Sequence, residues 1–246
     1  MKYLIVNADD FGAGRDINRG IVEAHVRGIL TSTSLMVDMP GATEAARQSA
    51  DLPELSIGLH VQLTREEGSL LIDPSDSAAC RTELRRQLSE FHELMGRLPT
   101  HLDSHHNIHR NPQLLPHFRE IAQELVMPLR EHSAARYFSK FYGQWDGESH
   151  FEQISVDNLS YMLAVEVGDG ITELSCHPGY MSPDFHSAYS VEREAELRTL
   201  CDHRIREKLN ELCIQLIGFI DLKNLSNRNG RSASARAAAV ATRSAM

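Results

Sequence analysis

Short apolar runs alternate with stretches of helical periodicity almost from the first residue, and the alternation repeats along most of the chain. Apolar runs bounded by turn-forming residues read as strands, and apolar residues three and four apart read as helices. On this basis residues 3–8 form a first strand. A helix follows over 17–27, with Ile17, Ile21 and Ala24 on one face and Gly28 where a C-terminal stop belongs. TSTSLMV (31–37) is a second strand, 42–49 a short helix, and ELSIGLHVQL (54–63) holds a third strand with His60 near its end. Leu84, Leu88, Phe91 and Met95 mark a helix over 81–97, and THLDSH (100–105) is a strand. A helix opened by Pro112 runs to 126, MPLRE (127–131) is a short strand, and ITELSC (171–176) is another. The stretch 193–213 is helical, and QLIGFIDL (215–222) closes the pattern as a last strand. Strands separated by helices predict an α/β domain with a mostly parallel sheet. At 246 residues the chain can bury one core of barrel size, so one domain is expected.

Composition narrows the picture. With 41% hydrophobic and 24% charged residues the chain is an ordinary globular one. The pattern stops near 223: residues 224–246 carry four arginines, many alanines and serines and no acid, and read as a poorly ordered tail. A formal net charge of −9 argues against a general nucleic-acid or anionic-membrane surface, which needs concentrated Lys and Arg. Cys80, Cys176, Cys201 and Cys213 form no CxxC pair, so neither a disulfide framework nor a cysteine zinc site is expected. The opening MKYLIVNADD reaches two aspartates too soon for a signal-peptide core, and no later apolar run approaches spanning length. Together these predict a cytoplasmic protein with reduced thiols.

The candidate chemistry lies where strands end. THLDSHHNIHR (100–110) holds four of the thirteen histidines, and imidazole is both a metal ligand and the side chain that titrates nearest neutrality. Asp9-Asp10, His60, the 101–109 cluster and His177 each stand at or just after a different predicted strand, and a closed parallel sheet gathers such ends on one rim. The strand period of two puts His101, Asp103 and His105 on one face, and a helical turn beyond His105 would carry His109 along the same side. Two or three of these at most can reach one metal; the others would orient ligands or touch substrate. Taken singly, each residue has a plainer reading. A lone histidine such as His60 is more often a hydrogen-bonded core residue, paired aspartates most often cap a helix or shape a turn, and His177 before a proline suits a turn. Recurrence of carboxylate with imidazole at four strand ends favours a metal site. Asp9 and Asp10 can share it only if the strand ends in a turn, for which Gly12 and Gly14 leave room. His92, His117, His132, His150, His186 and His203 have no such placement and are expected at the surface or in packing.

The motifs NADDFG (7–12), TSTSLMV, GLHVQLT (58–64), PTHLDSHHNIH (99–109), CHPG (176–179) and the run from Ser187 to Leu197 resemble, in order, the YdjC-like carbohydrate deacetylases, which include the chitooligosaccharide deacetylases. The resemblance covers nearly the whole chain apart from the tail. It implies an irregular (β/α) barrel, a divalent cation (Mg²⁺, with Zn²⁺ the alternative on ligand chemistry), removal of N-acetyl groups from a sugar, and a homodimer. It assigns Asp10, His60 and His105 to the metal, Asp9 to the general base and His177 to the acid or oxyanion partner. His101, Asp103, His109 and Arg130 become contacts to the ligands or the substrate. Many members carry three histidines where this chain has His105-His106-Asn107, and the segment between Thr64 and Arg81 is short, which bears on the sugar accepted. Two other activities would use similar residues: hydrolysis of another bond such as a phosphoester, and metal-dependent glycan binding without turnover.

Overall fold

The computed structural model describes residues 1–181, 183–222 and 225. Its elements in chain order are β1 (Lys2–Phe11), α1 (Arg15–Arg27), β2 (Ser32–Leu35), α2 (Ala42–Ser49), β3 (Ser56–Val61), α3 (Ser77–Met95), β4 (Leu102–Ser104), α4 (Leu115–Glu124) and β5 (Ala135–Phe138). There follow a hairpin of β6 (Gln144–Trp145) and β7 (Glu148–Ser149), then α5 (Val156–Glu166), β8 (Gly170–Cys176), α6 (Val191–Leu200), α7 (His203–Glu211) and β9 (Ile214–Leu216). Seven strands make one parallel sheet in the order β4-β3-β2-β1-β8-β5, with β9 beside residues 2–4 of β1. The sheet curls into a half-barrel. Arg130, from a segment bridged to β4 at Leu102, reaches Glu173 on β8 with its guanidinium.

Alternation along the strands sorts the side chains. Leu4, Val6 and Ala8 of β1, Ile57, Leu59 and Val61 of β3, and Leu174 and Cys176 of β8 face the helices and form the apolar core with them. The opposite face is polar. Asn7, Ser34, His60, Asp103, Glu173 and Arg130 are buried there and joined to one another by hydrogen bonds and ion pairs. The barrel interior is thus a polar network, and the apolar burial that drives folding lies between sheet and helices.

The floor of the barrel is a plug. Phe219 stacks on His101 with ring centroids 3.9 Å apart. The backbone N–H groups of Phe219 and Ile220 donate to the hydroxyls of Ser32 and Ser56. Gly58 makes room for this stack, since a Cβ there would lie 2.5 Å from the His101 ring.

Several predicted elements change. The last strand is confined to Ile214–Leu216, because the chain then turns under the barrel as a 3₁₀ helix over Phe219–Asp221. MPLRE is not a strand: Leu129 makes one parallel bridge to Leu102, Pro128 has no N–H to extend the ladder, and Glu131 turns away with φ 64°. The helix predicted over 193–213 is two, broken at Asp202, whose carboxylate caps the second by accepting from the Arg204 N–H. The helix expected from Pro112 begins at Leu115, with Pro116 in its first turn. The helix placed over 81–97 begins four residues earlier, at Ser77, where Asp76 caps it. The pattern gave no reading for 135–168, which holds β5, the hairpin and α5. The Arg-rich stretch 224–246 lies outside the described residues but for Leu225. No helix among the described residues is long and apolar enough to cross a membrane.

Candidate active site

The strand ends converge on a cavity of about 380 Å³ at the C-terminal rim, lined by Asp9, Asp10, His60, His105 and His177 together with Glu66, Tyr137, Tyr142, Tyr189 and Arg193. Neighbouring residues of a flat strand point opposite ways, so Asp9 and Asp10 need a break in the strand. Asp10 supplies it by adopting φ 68°, and the register of β1 against β2 shifts between Ala8 and Phe11. Both carboxylates then reach the same cavity.

Asp10 stands between two imidazoles. Its Oδ1 is 3.4 Å from His60 Nε2 and 3.2 Å from His105 Nδ1, while its Oδ2 accepts from Arg193 Nη2 at 2.6 Å. One ligand atom from each of Asp10, His60 and His105 lies within 4.8 Å of the others. The outer nitrogen of His60, Nδ1, donates to Asp103 Oδ1 at 2.7 Å, which aims Nε2 at Asp10. Asp103 is itself held by Ser34 Oγ at 2.8 Å and by Arg130 at 2.9 Å.

Asp9 is anchored by other partners, although one of its oxygens also lies within 4.8 Å of a His60 nitrogen and an Asp103 oxygen. Arg130 grips it with two hydrogen bonds, Nη1 to Oδ2 at 2.8 Å and Nη2 to Oδ1 at 2.7 Å, and Asn7 donates to Oδ1 at 2.9 Å. His177 follows β8 with its Nε2 3.9 Å from Asp9 Oδ2. Glu196 accepts the His177 backbone N–H and the Tyr189 hydroxyl, and the rings of Tyr142 and Tyr189 stand edge-on to the His177 ring.

Burial and charge compete throughout. Burial pushes the Asp9 and Asp10 carboxyls up, but Arg130 beside the first and Arg193, His105 and His60 beside the second hold both below the ordinary 3.8. Burial opposes charge on the two inner imidazoles, yet Asp103 and Asp10 raise His60 to about 10, and Asp10 with Glu66 raises His105 to about 9. His177 goes the other way: burial outweighs the aspartates and lowers it to about 4. Burial likewise lifts Glu173 to about 7 and Glu196 to about 8.

Other candidates fall elsewhere. His101 lies at the barrel floor against Phe219, with its Nε2 4.0 Å from Asp103. His109 does not extend the polar face as a helical turn: His106 and Asn107 take left-handed backbone angles, and the His109 Nδ1 accepts from Ser104 Oγ at 2.7 Å, away from the cavity. Arg130 is buried behind Asp9. His117, expected at the surface or in packing, is buried, with its Nε2 3.3 Å from Ser77 Oγ. Arg193, Glu196, Tyr137 and Glu66 were not singled out by the sequence reading. The first two lie in the run from Ser187 to Leu197 that carries the resemblance, which gives them no role, and in the structure they are buried on α6 with Glu192.

This arrangement defines a curled α/β half-barrel of the TIM-like type with a carboxylate–imidazole cluster at its rim. The chain belongs to the YdjC-like family, whose model matches residues 3–211. It is 34% identical over 254 residues to a carbohydrate deacetylase of Geobacillus stearothermophilus, covering 91% of this chain and 99% of that one. It is 33% identical to a chitooligosaccharide deacetylase of Serratia marcescens, covering 90% and 99%. Among solved structures, an Enterococcus faecalis V583 protein given a provisional role in cellobiose-phosphate cleavage superposes with a TM-score of 0.74 at 28% identity, over 90% of this chain and 98% of its own. A family 4 carbohydrate esterase from Streptomyces lividans, in complex with acetate, shares the fold at a TM-score of 0.54 and 11% identity, over 87% and 91%.

Proposed function

We propose that this chain is a divalent-metal-dependent hydrolase that removes N-acetyl groups from acetylated amino sugars, chitooligosaccharides among them. The observation that carries the reading is the meeting of Asp10, His60 and His105 beside a separately anchored carboxylate, Asp9, in one polar cavity. The deacetylase relatives support the substrate class.

The residues fit a cation. Asp10 Oδ1 is buried and has no aligned hydrogen bond, although two imidazole nitrogens lie nearby. The raised values of His60 and His105 put a proton, and so a positive charge, on each ring, and exchanging those two protons for one divalent ion keeps the local charge unchanged. Two imidazoles with one carboxylate suit Zn²⁺ better than Mg²⁺, while the family resemblance points to Mg²⁺; elemental analysis of protein purified without chelator separates them. The sign of the pH dependence follows. Below about pH 9 both rings must shed a proton to bind the ion, so acidification weakens binding, by up to about two decades per pH unit. Chelator-competition titrations between pH 6 and 8 check this, and a flat profile contradicts it.

When bound, the cation supplies Lewis acidity to the acetyl carbonyl and lowers the pKa of water. Asp9, kept ionised by Arg130, takes the proton of the attacking water. His177 begins neutral, so it can serve the leaving amine as an acid only after receiving a proton. Asp9, 3.9 Å away and with its carboxyl held below the ordinary carboxylate range by Arg130, is placed to hand one over. Phosphoester hydrolysis is less well served: Arg193 is the only lysine or arginine lining the cavity among the described residues, and its charge is already paired with Asp10 through Nη2.

The purified protein is expected to release acetate from N-acetylated chitooligosaccharides, to stop when a chelator strips the ion, and to recover on its return. Tight binding of metal and glycan with no acetate from any acetylated amino sugar would leave only a binding role.

A further inference from the structure

The two imidazoles of the cation seat each turn one nitrogen inward and one outward, and the outward nitrogens have different supports. His60 Nδ1 is fixed by Asp103 inside the barrel wall. His105 Nε2 lies 2.9 Å from Glu66 Oε1. Glu66 stands on the rim loop after β3, closed by the antiparallel bridge of Thr64 with Leu70 and the Arg65 N–H to Ser69 carbonyl bond. The Nε2 and Oε1 atoms are shut off from solvent, and neither has an aligned hydrogen bond to another described group. Their contact is off-axis, and turning the carboxyl about its soft terminal torsion would bring it into line. The other nitrogen, Nδ1, is the one 3.2 Å from Asp10 Oδ1.

We propose that Glu66 is the positioning residue for His105: it receives the Nε2 proton, fixes the ring's orientation and leaves the Nδ1 lone pair directed at the cation, as Asp103 does for the other ring. The inference rests on the reading of Asp10, His60 and His105 as the cation seat. A ring nitrogen that holds a metal is aimed and made more basic by an acceptor on the opposite N–H. Glu66, His105 and His106 are also close enough together to hold an ion of their own. However, His105 would then have to give up its last ring proton, and His106 Nδ1 is already 3.0 Å from the Thr64 hydroxyl. The hydrogen-bonding role fits both facts.

The test is Zn²⁺ affinity of the full chain by chelator competition, with the absorption spectrum of the Co²⁺-loaded protein as second readout. Glu66→Ala is expected to bind about 10–100-fold more weakly and to shift the Co²⁺ bands. Glu66→Gln, whose amide oxygen still accepts, should recover most of both. Glu67→Ala, on the same loop but engaged with Ser69 instead, should match the unmodified chain. Affinity within about twofold of the unmodified chain for Glu66→Ala overturns the inference, and so does Glu66→Gln as weak as the alanine variant. Absence of Zn²⁺ binding by the unmodified chain would remove the cation seat itself, and this inference with it.

Discussion

Asp9→Asn is expected to cut turnover by about 10²–10⁴-fold while the protein keeps its metal, because the change deletes a proton acceptor that is not among the proposed ligands. The side chain stays the same size and Asn7 still stands beside it, so the cavity keeps its shape. Arg130 loses one carboxylate but retains Asp103 and Glu173, which limits the structural cost. His105→Ala is the counterpart: it should lose metal and activity together. Measuring bound metal alongside kcat for both variants checks the division of roles, and equal metal loss in the two would defeat it.

The largest effect on stability is expected at Arg130. This side chain is 1% exposed and is the shared partner of Asp9, Asp103 and Glu173, with the Tyr137 ring 4.8 Å from its guanidinium carbon. Arg130→Met fills similar space but leaves three buried carboxylates without their cation, which should cost about 3–5 kcal/mol, as broken buried ion pairs do. Arg130→Lys restores the charge without the fork that grips Asp9 at two atoms, so it should recover only part. Urea denaturation of the metal-free proteins measures both. A loss below about 1 kcal/mol for Arg130→Met would mean that the barrel interior protonates or hydrates its acids at little cost.

How far the sequence exposes this molecule depends on whether a residue's role is local. The period of two predicts His101, Asp103 and His105 on one face, and all three turn to the polar interior, from His101 at the floor to His105 at the rim. The turn joining Asp9 to Asp10 was required by the chemistry, but its place, at Asp10 itself, depends on a left-handed backbone angle that no composition rule assigns to an aspartate. Arg193 and Glu196 were hidden for another reason: charges on a helix ordinarily face water, and only the packing of α6 over the rim turns these inward. β5 escaped because ARYF is short and half-exposed, and its pairing with β8 is a long-range event. MPLRE and QLIGFIDL misled in the opposite direction: the first is bridged at Leu129 alone, and the second leaves the sheet after Leu216, with Ile217 half-buried and Ile220 exposed.

The placement of β1 has a consequence for synthesis on the ribosome. Its first residues are flanked by β8 on one side and β9 on the other, and the floor beneath them is closed by Phe219. Residues 7–11 can pair with β2 soon after synthesis, but residues 2–4 wait with unsatisfied edges until β8 and β9, about 170 and 210 residues later, have been made. Loop-closure entropy makes such distant pairings slow, so the nascent chain passes through a long interval in which chaperone protection of its amino-terminal strand matters most.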